Sequence, residues 1–139
     1  MNRHLNSVTL YLRGDNIDFE EVTRLLGVEP DKVQRKGDFM VPGHPRSAVH
    51  KNNTWCLSEK SETDDVSGTF LRLLSKLSPN TRLCDIAGVT ESLFDVFFVQ
   101  SVDDGRLGED IEYGLRPDVL MQIAAHGLPV YFTCSNTTE

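Results

Sequence analysis

Ser7–Pro30 reads SVTLYLRGDNIDFEEVTRLLGVEP, and it holds a strand, a turn and a helix in direct succession. Val8, Leu10 and Leu12 alternate with Thr9, Tyr11 and Arg13, the period-two pattern of a strand with one buried face. Gly14-Asp15-Asn16 supplies turn residues. Asp18 then stands at a helix N-cap with Glu21 three residues on, a capping box in its Asp variant, and Ile17 and Val22 are spaced for a hydrophobic staple. Val22, Leu25 and Leu26 form one apolar stripe, Gly27 suits a left-handed stop, and Pro30 prevents the helix from resuming. The spacing predicts a helix over Phe19–Leu26.

Outward from this unit, Asp31–Lys36 and Thr54–Glu59 read as strands that pair antiparallel. In the second, Trp55 and Leu57 share one face, and Cys56 and Ser58 the other. Val66, Phe70, Leu73, Leu74 and Leu77 make a helical stripe over Val66–Leu77. Pro79 is placed to open a short helix carrying Leu83, Ile86 and Ala87, with Gly88 as its stop. Ser92–Val102 is a strand with apolar residues on both faces: Phe94, Val96 and Phe98 on one, Leu93, Phe97 and Val99 with Asp95 on the other. That pattern fits a central strand covered on two sides or a partner interface, and self-association into a homodimer is one outcome. An acidic turn at 103–112 and a short strand at Ile111–Leu115 follow, then a helix from Pro117 to a Gly127 stop. The last strand is Leu128–Cys134, with Pro129 hinting at a sheet edge.

Strands and helices intermix in this order, which points to an α+β two-layer sandwich. The expected sheet is mixed or antiparallel, with helices mainly on one face, ferredoxin-like in character. The length of 139 residues suits a single domain over 1–139, with an ordered core at 7–134, a long basic loop at 38–54 and a polar tail at 135–139.

Composition narrows the function classes. Hydrophobic residues make up 39% and charged residues 25%, enough to bury a core. The net charge of −7 argues against nucleic acid or an anionic membrane as the partner of the whole surface. No apolar run approaches the ~20 residues that span a bilayer. The N-terminus carries no secretory pattern, and the three cysteines, Cys56, Cys84 and Cys134, lack C-x-x-C spacing. Reduced thiols in a cytoplasmic protein are the expectation. No His, Cys, Asp or Glu spacing suits a metal ion. Gly-rich phosphate loops and the Gly-x-Ser-x-Gly turn are absent too, so no cofactor, metal or catalytic residue is assigned.

One segment breaks the acidic pattern. Between Lys32 and Lys51 stand Lys32, Arg35, Lys36, Arg46 and Lys51 against the single acid Asp38, a balance of +4, which leaves −11 for the rest of the chain. The stretch from Asp85 to Glu139 alone carries −8. Loops as long as 38–54 tend to be functional or disordered. The candidate surface is Arg35, Lys36, His44, Arg46 and His50, with Trp55 either a core anchor or an apolar wall beside it. A binding or interaction module for an acidic protein or small anion is the leading reading; a solvated loop balancing the acidic half is the plain one. An enzyme using His44 or His50 as general acid or base is the alternative.

Three quoted stretches carry a family resemblance. The Val8–Pro30 strand-turn-helix, Arg35-Lys36-Gly37-Asp38 and Asn53-Thr54-Trp55-Cys56-Leu57-Ser58 occur in an order similar to the bacterial domain-of-unknown-function family 4279. Gly27-x-x-Pro30, Lys36-Gly37 and Trp55 are its most specific parts. The resemblance implies a small bacterial cytosolic α+β protein and brings no activity, cofactor or catalytic residue with it.

Overall fold

In β1 (Leu5–Gly14) the side chains of Val8, Leu10 and Leu12 are fully buried, while Thr9, Tyr11 and Arg13 stay partly exposed, as the alternation requires. The computed structural model describes residues 5–63, 65–79, 81–101 and 114–137. After β1 come α1 (Phe19–Leu26), β2 (Lys32–Gln34), β3 (Asn53–Ser61), α2 (Val66–Ser75), β4 (Glu91–Ser101), α3 (Pro117–His126) and β5 (Val130–Thr137). The sheet order is β2-β3-β1-β4-β5. The β2/β3, β3/β1 and β1/β4 pairs are antiparallel, and β5 lies parallel to β4. The first four strands and two helices thus follow the split βαβ connectivity of ferredoxin-like sheets, and α3–β5 extends that sheet by one strand.

Register decides which side is core. Leu12 lies opposite Trp55, and Leu10 opposite both Leu57 and Phe94. These side chains join Val22 and Leu26 of α1, Phe70 and Leu73 of α2, and Val119 and Ile123 of α3 in one buried cluster. Phe70 meets Phe94 edge to face at 5.4 Å between ring centroids. The core is not wholly apolar. Thr69 Oγ1 lies 2.9 Å from Asn6 Oδ1 and 3.0 Å from the Asp65 carbonyl, sharing its one proton, and Asn6 Nδ2 donates to the Thr63 carbonyl. Buried polar groups satisfied in this way avoid the desolvation penalty.

Helix α1 matches its expected bounds. Asp18 Oδ1 accepts from the amides of Glu20 (3.1 Å) and Glu21 (3.2 Å), and Gly27 closes the helix at φ 73°. The capping box is only half formed, because the Glu21 carboxylate takes the Arg24 guanidinium instead of reaching back. The short helix expected after Pro79 is reduced to a 3₁₀ turn at Leu83–Asp85. Among the described residues, strand β4 has helices on one face only, that of Phe94, Val96 and Phe98. Its other face sets half-buried Leu93, Phe97 and Val99 among polar pairs: Arg13–Glu91 at 2.8 Å, Thr9–Ser58 at 2.9 Å and Thr133–Asp95 at 3.1 Å. Strand β5 is at the edge, as Pro129 suggested. The acidic turn at 103–112 lies outside the described residues. So does most of the strand expected at Ile111–Leu115, whose described part, 114–115, is not in a strand.

A tight contact fixes the end of β1. A Cβ on Gly14 would lie 2.0 Å from the Gly88 carbonyl oxygen, a backbone atom with little freedom to move. At Gly27 a Cβ would meet nothing within 4 Å, and only the positive φ opposes a side chain. Gly14→Ala is therefore expected to cost about 2 kcal/mol or more, a Tm loss of roughly 6–10 °C, and Gly27→Ala about half of that. Thermal melts of the two variants check this, and equal losses would contradict it.

Candidate functional site

The segment between β2 and β3 leaves the sheet as a short antiparallel arm rather than a structureless loop. Phe39 pairs with Val49, the Met40 amide donates to the Ala48 carbonyl (2.8 Å), and the Gly37 and His50 amides donate to the His50 and Asp38 carbonyls (2.9 Å each). The tip turns at Gly43 (φ 80°), with the Ser47 amide donating to the His44 carbonyl at 2.9 Å and the Val41 amide to Ser47 Oγ at 2.9 Å. At the base, Asn53 Oδ1 accepts from the Lys36 amide (2.8 Å), and its Nδ2 donates to the Asp15 carbonyl (3.1 Å). The arm is thereby anchored to the turn between β1 and α1.

The arm exposes apolar surface that the charge count did not reveal. Phe39 is 42% exposed, Met40 51%, Val41 50% and Val49 43%. Two short apolar runs within the loop were the available signal: Phe39-Met40-Val41 and Ala48-Val49 lie on either side of a Pro-Gly-His-Pro turn, as in a hairpin.

Most expected site residues are on this surface. Arg35, Lys36, His44 and Arg46 are exposed and His50 is half-buried. Arg35 lies over the Phe19 ring of α1 at 5.1 Å, and Lys36 Nζ stands 3.6 Å from Asp15 Oδ1. Trp55 is elsewhere. It is fully buried on the helix face of β3, and its Nε1–H donates to Thr23 Oγ1 at 3.1 Å. Its role as an apolar wall is thus corrected to that of core anchor: at that register a side chain must point toward the helices, opposite Leu12. Phe39 and Met40 supply the apolar surface beside the cations instead.

A cleft of about 450 Å³ runs between β2 and the arm. All three β2 residues line it, with Arg35, Asp38, Phe39, Met40 and His50. It brings Lys32, Arg35 and His50 together; Lys36, His44, Arg46 and Lys51 are not among its walls.

Charge pairing separates the arm from the rest of the surface. Arg13, Arg24, Arg72, Lys76, Arg82 and Arg116 each sit within ion-pair distance of a carboxylate. Lys32, Arg35, Arg46 and Lys51 have no such partner among the described residues; outside the segment Lys60 alone shares that condition there. The imidazoles of His44 and His50 have no carboxylate within hydrogen-bond reach among the described residues.

A larger cleft, about 570 Å³, lies between the C-terminal ends of α2 and α3. Arg82 and His126 line it, but Arg82 already donates to the Ala125 carbonyl (3.2 Å) and pairs with Asp85 (3.6 Å). His126 Nδ1 accepts the Leu83 amide at 3.4 Å, and burial holds its pKa below the ordinary histidine value. These groups act as caps on helix ends. Burial also pushes the Cys56 thiol up to about 11, which keeps it protonated at neutral pH. None of the three cysteines forms a disulfide, no group of His, Cys, Asp or Glu is arranged for a metal, and no helix is long and apolar enough to cross a membrane, among the described residues.

No curated protein and no solved structure matches the chain. A family model does, over residues 3–135, which include the strand-turn-helix, the arm and Trp55. The chain belongs to the family described as a domain of unknown function, DUF4279.

Proposed function

We propose that this protein is a binding module whose arm, residues 35–52, docks onto an acidic protein partner. One observation carries the reading: among the described residues six cations outside the segment are matched by carboxylates and Lys60 alone is not, whereas Lys32, Arg35, Arg46 and Lys51 are all unmatched. Unpaired cations gathered on one part of an otherwise acidic surface draw acidic partners to that part by electrostatic attraction. The exposed Phe39, Met40, Val41 and Val49 favour a protein over a small inorganic anion, because an anion gains nothing from apolar contact. An apolar centre with a charged rim is the usual composition of a protein interface.

For His44 or His50 to act as a general acid or base, its ring would need a reacting group or orienting carboxylate in reach, and among the described residues no carboxylate pairs with either ring. A small anion alone is the narrower version of the binding reading, with Lys32, Arg35 and His50 around the cleft as its donors.

Arg46 and Lys51 test the proposal without touching the cleft. Arg46→Glu with Lys51→Glu is expected to hold Tm within about 4 °C, since exposed substitutions away from specific contacts move stability by roughly 0.5 kcal/mol or less each. The same variant is expected to weaken binding of poly-L-glutamate at least fivefold at low salt. Binding by the parent protein is expected to fall as salt rises. Isothermal titration at two ionic strengths reads both effects. Unchanged affinity in the variant would refute the arm as the docking surface, and a large loss of Tm would mean that these two side chains are structural.

Small anions give an independent readout. Amide NMR peaks of residues 32–51 are expected to move with poly-L-glutamate well below the concentration at which phosphate moves them. Equal response to phosphate would favour an anion site over a protein interface.

A further inference from the structure

We propose that the outer edge of β2 takes an acidic peptide in extended conformation as a sixth strand of the sheet, an inference that rests on the docking role given to the arm and specifies its partner. Among the described residues, strand β2 ends the sheet order and pairs only with β3. A sheet edge presents backbone donors and acceptors that another strand can take.

The cleft geometry indicates that this edge is the surface on offer. Lys32, Val33 and Gln34 all line the cleft. Register sets Lys32 opposite Cys56 and Gln34 opposite Thr54, on the sheet face away from the helices, and Val33 opposite Trp55, on the helix face. The side chains of these three residues alternate between the faces, so a cleft that touches all of them reaches the β2 backbone, whose outer edge is the side away from β3. Its volume, about 450 Å³, is within the usual range of ligand clefts, roughly 300–1,000 Å³.

Charge selects the occupant. Lys32 lies on one face of the sheet, and Arg35, over the Phe19 ring of α1, lies on the other. An added strand alternates its side chains between those same faces, so an acid on either side finds a cation. His50 also lines the cleft, against the single acid Asp38. Phe39 and Met40 stand as the apolar wall across from β2, which suits small apolar side chains between the acids.

The test uses the full ¹⁵N-labelled chain and a capped peptide of alternating Glu and Val. The Glu-Val peptide is expected to shift the amides of Lys32–Arg35, Phe39 and Met40 and to slow hydrogen exchange in β2. A Lys-Val peptide is expected to bind at least tenfold more weakly, and Lys32→Glu with Arg35→Glu to weaken the Glu-Val peptide similarly. Two further peptides, N-methylated at every Val or at every Glu, remove backbone donors from one edge each, and at least one is expected to lose roughly tenfold in affinity. If both N-methylated peptides bind as the parent does, or if shifts are confined to the Arg46–Lys51 end of the arm, strand addition is overturned while charge-driven docking stands. If no acidic peptide binds, both readings fail. If phosphate at equal ionic strength reproduces the β2 shifts, the site is an anion pocket and the peptide proposal is overturned.

Discussion

β1 is paired on both edges along nearly its whole length, with β3 from Asn6 to Gly14 and with β4 from Leu5 to Arg13. Every other feature of the molecule is arranged around that constraint. A strand so flanked occupies the middle of the sheet, which leaves β2 only the outer side of β3. The chain between β2 and β3 then turns back at the margin of the sheet, where its base touches α1 through Arg35 over the Phe19 ring. A positively charged segment in that position is offered to solvent instead of being folded against the protein's own acids. Close approach at Gly14 and Gly88 belongs to the same constraint, because it lets the segment after α2 cross the end of β1 and enter β4 beside it.

The carboxylates near the sheet are already engaged. Glu21 holds Arg24, Glu59 holds Arg72 and Lys76, and Glu91 holds Arg13. These contacts keep the carboxyls of Glu21 and Glu59 below the usual carboxylate range, with the hydrogen-bonded cation as the leading cause in each case. Asp15 reaches only the base of the arm, at Lys36. Individual surface pairs of this kind contribute little to stability. Their significance is in distribution: Glu21, Glu59 and Glu91 each hold cations outside the arm, and Lys36 is the one arm cation with a carboxylate partner among the described residues.

Local signals carried the first half of the fold. The alternation in β1, the Asp18 cap and the Gly27 stop each depend on neighbouring residues alone, so they were legible in the sequence. The Pro117 start and Gly127 stop of α3 were legible for the same reason. Tertiary competition hid the rest. Glu21 was free to complete a capping box until Arg24, one turn on, offered a full charge. The residues after Pro79 had helical spacing, yet only three of them form a 3₁₀ turn, with the Leu83 amide taken by His126 of α3. At the candidate site, the cation count picks out the segment that the structure shows as the exposed arm, while nearness along the chain leaves Trp55 open to being a core anchor or an apolar wall beside it. Strand parity sends its side chain through the sheet to Thr23, and Phe39 and Met40 hold the apolar role.

On the proposed reading the arm is an ordered projection that docks a partner and that the fold can do without. Replacing residues 38–51 with a short Gly-Ser turn tests it most directly, with thermal melting and poly-L-glutamate binding measured on the same sample. On this reading the Tm is expected within about 5 °C of the parent, because the arm's apolar side chains are already exposed, together with at least a fivefold weakening of poly-L-glutamate binding as Arg46 and Lys51 are lost. A shortened chain that unfolds, or one that binds the acidic polymer as well as before, would contradict it.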